Sequence, residues 1–333
     1  MENKLLYITQ FGTLSRKDNT LYFENETTKK IIPIIGIEQI FCLAEVTVNS
    51  KLLQYLTENK ITLHFCNYHE YYIGSYVPKE SYVSWFLLVK QVEHYTDLSK
   101  RLAIAITIVE GISANMVTML EHYQRHKKDV AEGIASLKNQ LIWIHLCTEI
   151  PQVLSIEWWL WRTFYGCFKE ILPKEFNLES RKRRPPDNPI NALISFGNSL
   201  LYAYTLSKIY HTQLNPTISY LHEPSERRFS LALDMCEVFK VPLVFTTIFY
   251  LINKNMLQVT KHFDIKLNCA LLNNEGRKIF CRQRDERLTK TLDHPILKRK
   301  VSYGSMIKYD CYKLIKHILG EKEFKAFSLK EWF

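Results

Sequence analysis

Tyr71-Tyr72-Ile73-Gly74-Ser75-Tyr76-Val77-Pro78-Lys79-Glu80-Ser81 is where the chain changes character. Before Pro78, β-branched and aromatic residues come in short runs between turn residues, the pattern of strands. From Ser81 to Val109 the apolar residues recur at helical spacing, through Trp85, Leu88, Val92, Tyr95, Leu98, Leu102 and Ile106, which gives a helix one apolar face. The expected fold is therefore α+β. A small N-terminal β-sandwich-like domain with one helix, residues 1–78, precedes a larger all-helical domain, residues 79–333.

On the N-terminal side, Leu5–Ile8, Ile31–Ile34, Ile37–Leu43, Ile61–Phe65 and Tyr71–Tyr76 are expected strands. Lys17-Asp18-Asn19 is turn chemistry between Thr13–Arg16 and Leu21–Glu24, which predicts a hairpin. Ser50 is an expected N-cap for a helix over Lys51 to Glu58. On the C-terminal side, Leu137–Cys147, Ile156–Ile171, Ala192–Tyr210 and Phe229–Phe239 are expected helices, and Pro185-Pro186 breaks the run between them.

The 333 residues suffice for two domains. Composition is that of a globular protein, 47% apolar and 23% charged, and no repeat or low-complexity segment is found. Lys and Arg number 44 against 34 Asp and Glu, an excess that suits a polyanionic partner without requiring one. The eight cysteines form no CxxC pair, so free thiols are expected rather than a zinc finger. Thr9-Gln10 interrupts the first apolar run, which argues against a signal peptide. Val241–Ile252, the longest apolar stretch, is short for a bilayer. The expected location is cytoplasmic, with no membrane partner.

Chemistry could reside in Glu157, His222, Asp234 and Glu237. Asp234 and Glu237 stand at i and i+3 of an expected helix, so both carboxylates can face one site. Carboxylate oxygens with one imidazole nitrogen suit Mg²⁺ or Mn²⁺. Spacing alone favours the plainer reading, a solvated acidic face and a structural histidine. Arg181-Lys182-Arg183-Arg184 could track a phosphate backbone or be a solvated loop. The basic residues from Arg277 to Lys300 are read by default as a solvated face. His122 and His126, at i and i+4, lie among Arg125, Lys127 and Lys128, which would repel a metal. No HExxH, GxxxxGK[ST] or GxGxxG is present.

Residues 183–202, RRPPDNPINALISFGNSLLY, resemble the signature "R..pP.DPvNallsfgysLLy" of the CRISPR-associated integrase family, the universal spacer-acquisition nucleases. Leu214-Asn215-Pro216, Leu221-His222 and Ser230-Leu231-Ala232-Leu233-Asp234-Met235-Cys236-Glu237-Val238-Phe239 continue the resemblance in order. Tyr7-Ile8 and Gly12-Thr13-Leu14-Ser15-Arg16 resemble the family's opening strand pair. The chain departs from the pattern at Gln213 and Ser219, where the family has glycines, and at Ile112, where it has lysine.

The resemblance implies metal ligands at Glu157, His222 and Glu237, with Asp234 a nearby catalytic acid and Glu149 and Glu170 as rivals to Glu157. It implies a metal-dependent DNA endonuclease and integrase, using Mg²⁺ or Mn²⁺ in the helical, catalytic domain. A 3′-hydroxyl of captured DNA would attack a phosphodiester at the edge of a repeat. The implied partners are double-stranded DNA, a second copy of the chain joined through the β domains, and a small ferredoxin-like companion. Arg181, Lys182, Arg183 and Arg184 are the expected DNA contacts. The alternative is a catalytically silent DNA-binding scaffold of the same fold.

Overall fold

The computed structural model describes residues 4–67, 71–79, 84–183, 185–224, 229–267, 269–294 and 297–329. Strands β1 (Lys4–Ile8), β2 (Gly12–Lys17), β3 (Thr20–Glu24), β4 (Lys29–Pro33), β5 (Ile37–Cys42) and β6 (Val46–Val48) lead to helix α1 (Ser50–Glu58), then β7 (Thr62–Cys66) and β8 (Tyr72–Tyr76). They form two four-stranded sheets, in the orders β1-β5-β7-β8 and β4-β3-β2-β6. The β2–β3 hairpin turns where expected, with Asp18 at φ 53°, a conformation Asp tolerates better than most residues. The cap of α1 is Asn49 rather than Ser50, its side chain accepting from Leu52 N. The short β6 was missed, because three residues carry too little pattern to read.

The second part of the chain is helical: α2 (Trp85–Thr96), α3 (Leu98–Arg125), α4 (Ala131–Ile142), α5 (Ile150–Gly166), α6 (Phe168–Ile171), α7 (Pro189–Tyr210), α8 (Ser230–Phe239), α9 (Thr246–Asn253), α10 (Val259–His262), α11 (Asn274–Thr289) and α12 (Tyr303–Ile318). It is not all-helical: β9 (Phe263–Lys266) pairs with β10 (Cys269–Leu272), and β11 (Thr291–His294) with β12 (Arg299–Ser302). At four residues each, these hairpins fall below the length at which alternation is distinctive. The long apolar run after Ser81 is two helices, because Asp97 ends α2 and caps α3 through Ser99 N and Lys100 N.

Helix α7 is buried on nearly all sides and organises the larger core. A Cβ on its Gly197 would lie 2.5 Å from Val244 and 3.0 Å from Phe280, so only glycine allows this approach. In α3, a Cβ on Gly111 would meet Ala326 at 2.8 Å. One turn on, buried Asn115 donates to the carbonyls of Val238 and Phe327 and accepts from Leu329 N. That clamp ties the C-terminal segment to α8.

The two parts share strand β5, which is buried on both faces. Ile40 and Cys42 belong to the core of the β sheets, and Phe41 to the helical core. The junction also carries buried polar groups. Arg284 lies against the rings of Phe41 and Tyr204, and donates to Tyr7 Oη and to the carbonyl of Leu200. Tyr7 in turn donates to Asp285, and Lys208 pairs with Glu38. The reading of the Arg277–Lys300 region as a solvated face is thereby corrected: Arg284 is 3% exposed. Leu98–Arg125 and Ser230–Asn253 are long and apolar enough to cross a bilayer, contrary to the expectation from Val241–Ile252. Their most apolar windows are 56% and 83% buried inside the protein, so the core already uses that apolarity.

Candidate active site

Asp234 organises one wall. It is fully buried in α8, and its two oxygens accept from the backbone N–H groups of Tyr220 (2.6 Å), Leu221 (2.9 Å) and His222 (3.0 Å) and from His222 Nδ1 (2.9 Å). Four donors on one carboxylate shape the loop before α8 and direct the imidazole. Because Nδ1–H is given to Asp234, Nε2 carries the lone pair. Burial works against the imidazolium, but the bond to Asp234 and the charges of Asp234, Glu237 and Glu157 raise the His222 pKa above its ordinary value. Asp234, expected as a catalytic acid, has both oxygens engaged by these four donors.

Other side chains hold the same loop from the far side. Arg101 donates to the carbonyl of Tyr220 (2.9 Å) and pairs with Glu223 (2.7 Å). Gln91 exchanges two hydrogen bonds with the backbone of Asn215. Neither residue was singled out from the sequence. The available signal was a polar residue on the apolar face of an expected helix, which needs a partner when buried.

Glu157, on α5, faces this wall. Its carboxyl is pushed up to about 7, first by burial and then by the charge of Glu237, with Lys240, His222 and a bond from Trp161 opposing. Glu237 is 5% exposed. One of its oxygens binds Lys240 Nζ, while Oε2 is buried without a hydrogen-bond partner. Lys240, also missed from sequence, lies 5.3 Å from the Trp161 ring centroid. Burial disfavours its ammonium, but Glu237 holds its pKa above the ordinary lysine value. The rivals make local contacts of their own: Glu149 begins α5, its N–H bonded to Gln152, and Glu170 pairs with Lys169.

Glu157, His222 and Glu237 thus share one electrostatic neighbourhood. Among the described residues, however, no three His, Cys, Asp or Glu side chains are gathered closely enough to hold a metal ion. Lys240 is the cation that Glu237 meets. The donor set still fits a hard divalent cation: two carboxylates of like charge, one with an orphaned buried oxygen, and one imidazole nitrogen.

The basic loop divides. Arg181 donates to Asn191 Oδ1 and Ser195 Oγ (both 2.9 Å), so it braces the start of α7. Lys182 pairs with Asp187 at 2.8 Å. Arg183 is exposed, and its charge reaches Tyr165, whose ring stacks on Trp161 at 5.6 Å. Arg184 lies outside the described residues. The loop therefore borders the site through Tyr165 and Trp161.

The sequence model of the family described as CRISPR associated protein Cas1 matches residues 6–286. The chain belongs to the Cas1 family. The CRISPR-associated endonuclease Cas1 2 of Moorella thermoacetica is 46% identical, over 98% of this chain and 99% of its own length. The CRISPR-associated protein Cas1 1 of Methanobrevibacter ruminantium is 44% identical, over 99% of each. The solved Cas1 structure from Thermotoga maritima superposes with a TM-score of 0.87 at 37% identity, covering 98% of this chain and all of that one. A casposase bound to its integration product shares the fold, with a TM-score of 0.85 at 19% identity, covering 100% of this chain and 95% of its own. Membership in the Cas1 family accounts for both the β-rich first part and the helical second part.

Proposed function

We propose that the chain is a divalent-metal-dependent DNA endonuclease and integrase that joins 3′-hydroxyl ends of captured DNA into a repeat. The observation that carries this reading is Glu237 Oε2, buried and unpaired beside a second acid and an imidazole. Buried polar groups left without partners are rare unless a ligand completes them. Glu157, Glu237 and His222 Nε2 would hold Mg²⁺ or Mn²⁺. Such an ion supplies charge neutralisation at a phosphodiester and activation of an attacking hydroxyl.

The remaining work falls to the chain. Asp234 holds His222 in the tautomer whose Nε2 faces the site. Arg101 and Gln91 fix the loop that presents it. Trp161, Tyr165 and Phe245 pack into an aromatic wall that excludes water beside Glu157. Exposed Arg183 supplies a cation for the DNA backbone. The proposed assembly is a homodimer acting on double-stranded DNA with a small ferredoxin-like companion. In its support, a fold neighbour of 18% identity is described as a Cas6-RT-Cas1–Cas2 complex.

The second reading, a silent DNA-binding scaffold, is favoured by the Lys240–Glu237 pair, which already neutralises one acid. Transfer of a short duplex into a repeat-containing plasmid separates the two. Strand transfer with Mn²⁺ and none in chelator supports the enzyme. DNA binding without transfer under either condition supports the scaffold.

A further inference from the structure

Three tryptophans follow Glu157 within one turn and a half of α5, and they do different things. Trp161 turns inward, 8% exposed, under Lys240. Trp158 and Trp159 remain outside, 53% and 48% exposed, with ring centroids 4.8 Å apart at 77°. The exposed Arg162 lies over both, its guanidinium carbon 5.3 and 5.2 Å from the two centroids. Among the described residues, Arg162 has no hydrogen-bond or salt-bridge partner.

Helical geometry relates this group to the site. Successive residues turn by about 100°, so Trp158, Arg162 and Trp159 stand about 100°, 140° and 200° around α5 from Glu157. Going around the helix from the acid, buried Trp161 at about 40° closes the near side, and exposed ring, cation and ring follow beyond it in that order. Exposing two indoles forfeits the burial that normally places tryptophan inside. A polyanion carrying flat bases would use both features, the cation for phosphate and the ring faces for bases.

We propose that Trp158, Trp159 and Arg162 form a stacking platform for unpaired nucleobases of the DNA strand that enters the site beside Glu157. The platform rests on the DNA-processing reading and deepens it. The three residues hold and position the strand while the chemistry stays with Glu157, Glu237 and His222.

The test uses the full-length protein and two probes: a short duplex with thymidine tails on its 3′ ends, and the same duplex with abasic tails. The tails share every phosphate and differ only in bases. Wild type should bind the thymidine probe about ten-fold or more tighter by fluorescence anisotropy, the range expected for base–aromatic stacking. The Trp158→Ala/Trp159→Ala variant should lose that difference and keep its affinity for the abasic probe. Arg162→Gln should lose part of it. Both changes lie at the surface, and an unchanged melting temperature checks the fold.

A double variant that retains the wild-type preference overturns the platform. So does a variant that changes only the sedimentation mass of the protein, which would make this face a protein interface. Wild type that binds both probes equally sinks the platform and leaves the DNA-processing reading standing. Wild type that binds neither sinks both.

Discussion

Replacing Glu157 by glutamine should make the metal-free protein more stable while it destroys activity. The carboxyl is pushed up to about 7 by burial and by Glu237, against an ordinary glutamate value of about 4.3. That displacement corresponds to about 4 kcal/mol of preference for the neutral form in the folded state. The sign follows from proton linkage. Between the unfolded and folded values the folded chain holds the extra proton, so stability falls as pH rises through that window. The loss is complete only above about pH 7, where the carboxylate is ionised in both states.

Glutamine keeps the shape and an acceptor for Trp161, and never ionises. In chelator at about pH 8, Glu157→Gln should therefore unfold at a higher temperature than wild type. A gain on the order of 2 kcal/mol, discounted for solvent at the partly open site, is a shift of a few degrees. The difference should shrink as pH falls, and at about pH 3.5, below the unfolded value, where the carboxyl is protonated in both states, the two melting curves should converge. Mn²⁺ should stabilise wild type more than the variant, because a cation relieves the same repulsion. Thermal unfolding across this pH range, with and without Mn²⁺, reads all three effects. A variant less stable than wild type at about pH 8, or a difference independent of pH, would refute the reasoning.

Other expectations concern neighbouring residues. His222→Ala should abolish strand transfer and leave DNA affinity nearly intact in a gel-shift assay, because it removes no basic contact to phosphate. Asp234→Ala leaves three backbone N–H groups and an imidazole N–H without an acceptor, so chemical denaturation should show a loss on the order of 4 kcal/mol or more. Within the basic loop, Arg183→Gln should lower the salt dependence of DNA binding by about one counterion. Lys182→Gln should change it less, since Lys182 already pairs with Asp187. Equal slopes would contradict that division. Arg284→Met should cost stability on the order of 3 kcal/mol if its buried bonds to Tyr7 and Leu200 matter as placed.

The sequence by itself determined the order of the parts and the neighbourhood of the chemistry. Short β-branched and aromatic runs before Pro78 and helical spacing after it are local properties, set by which backbone conformations those side chains favour, and the strands and principal helices follow them. The motif order likewise led to Glu157, His222 and the Ser230–Phe239 helix. Only the tertiary structure decided the roles. Asp234 and Glu237 sit one turn apart on α8, yet one spends its oxygens on a loop and the other faces a lysine. Arg181 and Arg183 stand two residues apart, yet one braces α7 and the other is exposed. Arg284 reads as surface charge and lies against Tyr7, far away in sequence. Spacing places a side chain on a face. What that face meets is set by segments distant in the chain, and burial and partnership, which decide whether a charge is ligand, brace or solvated group, exist only once those segments have packed together.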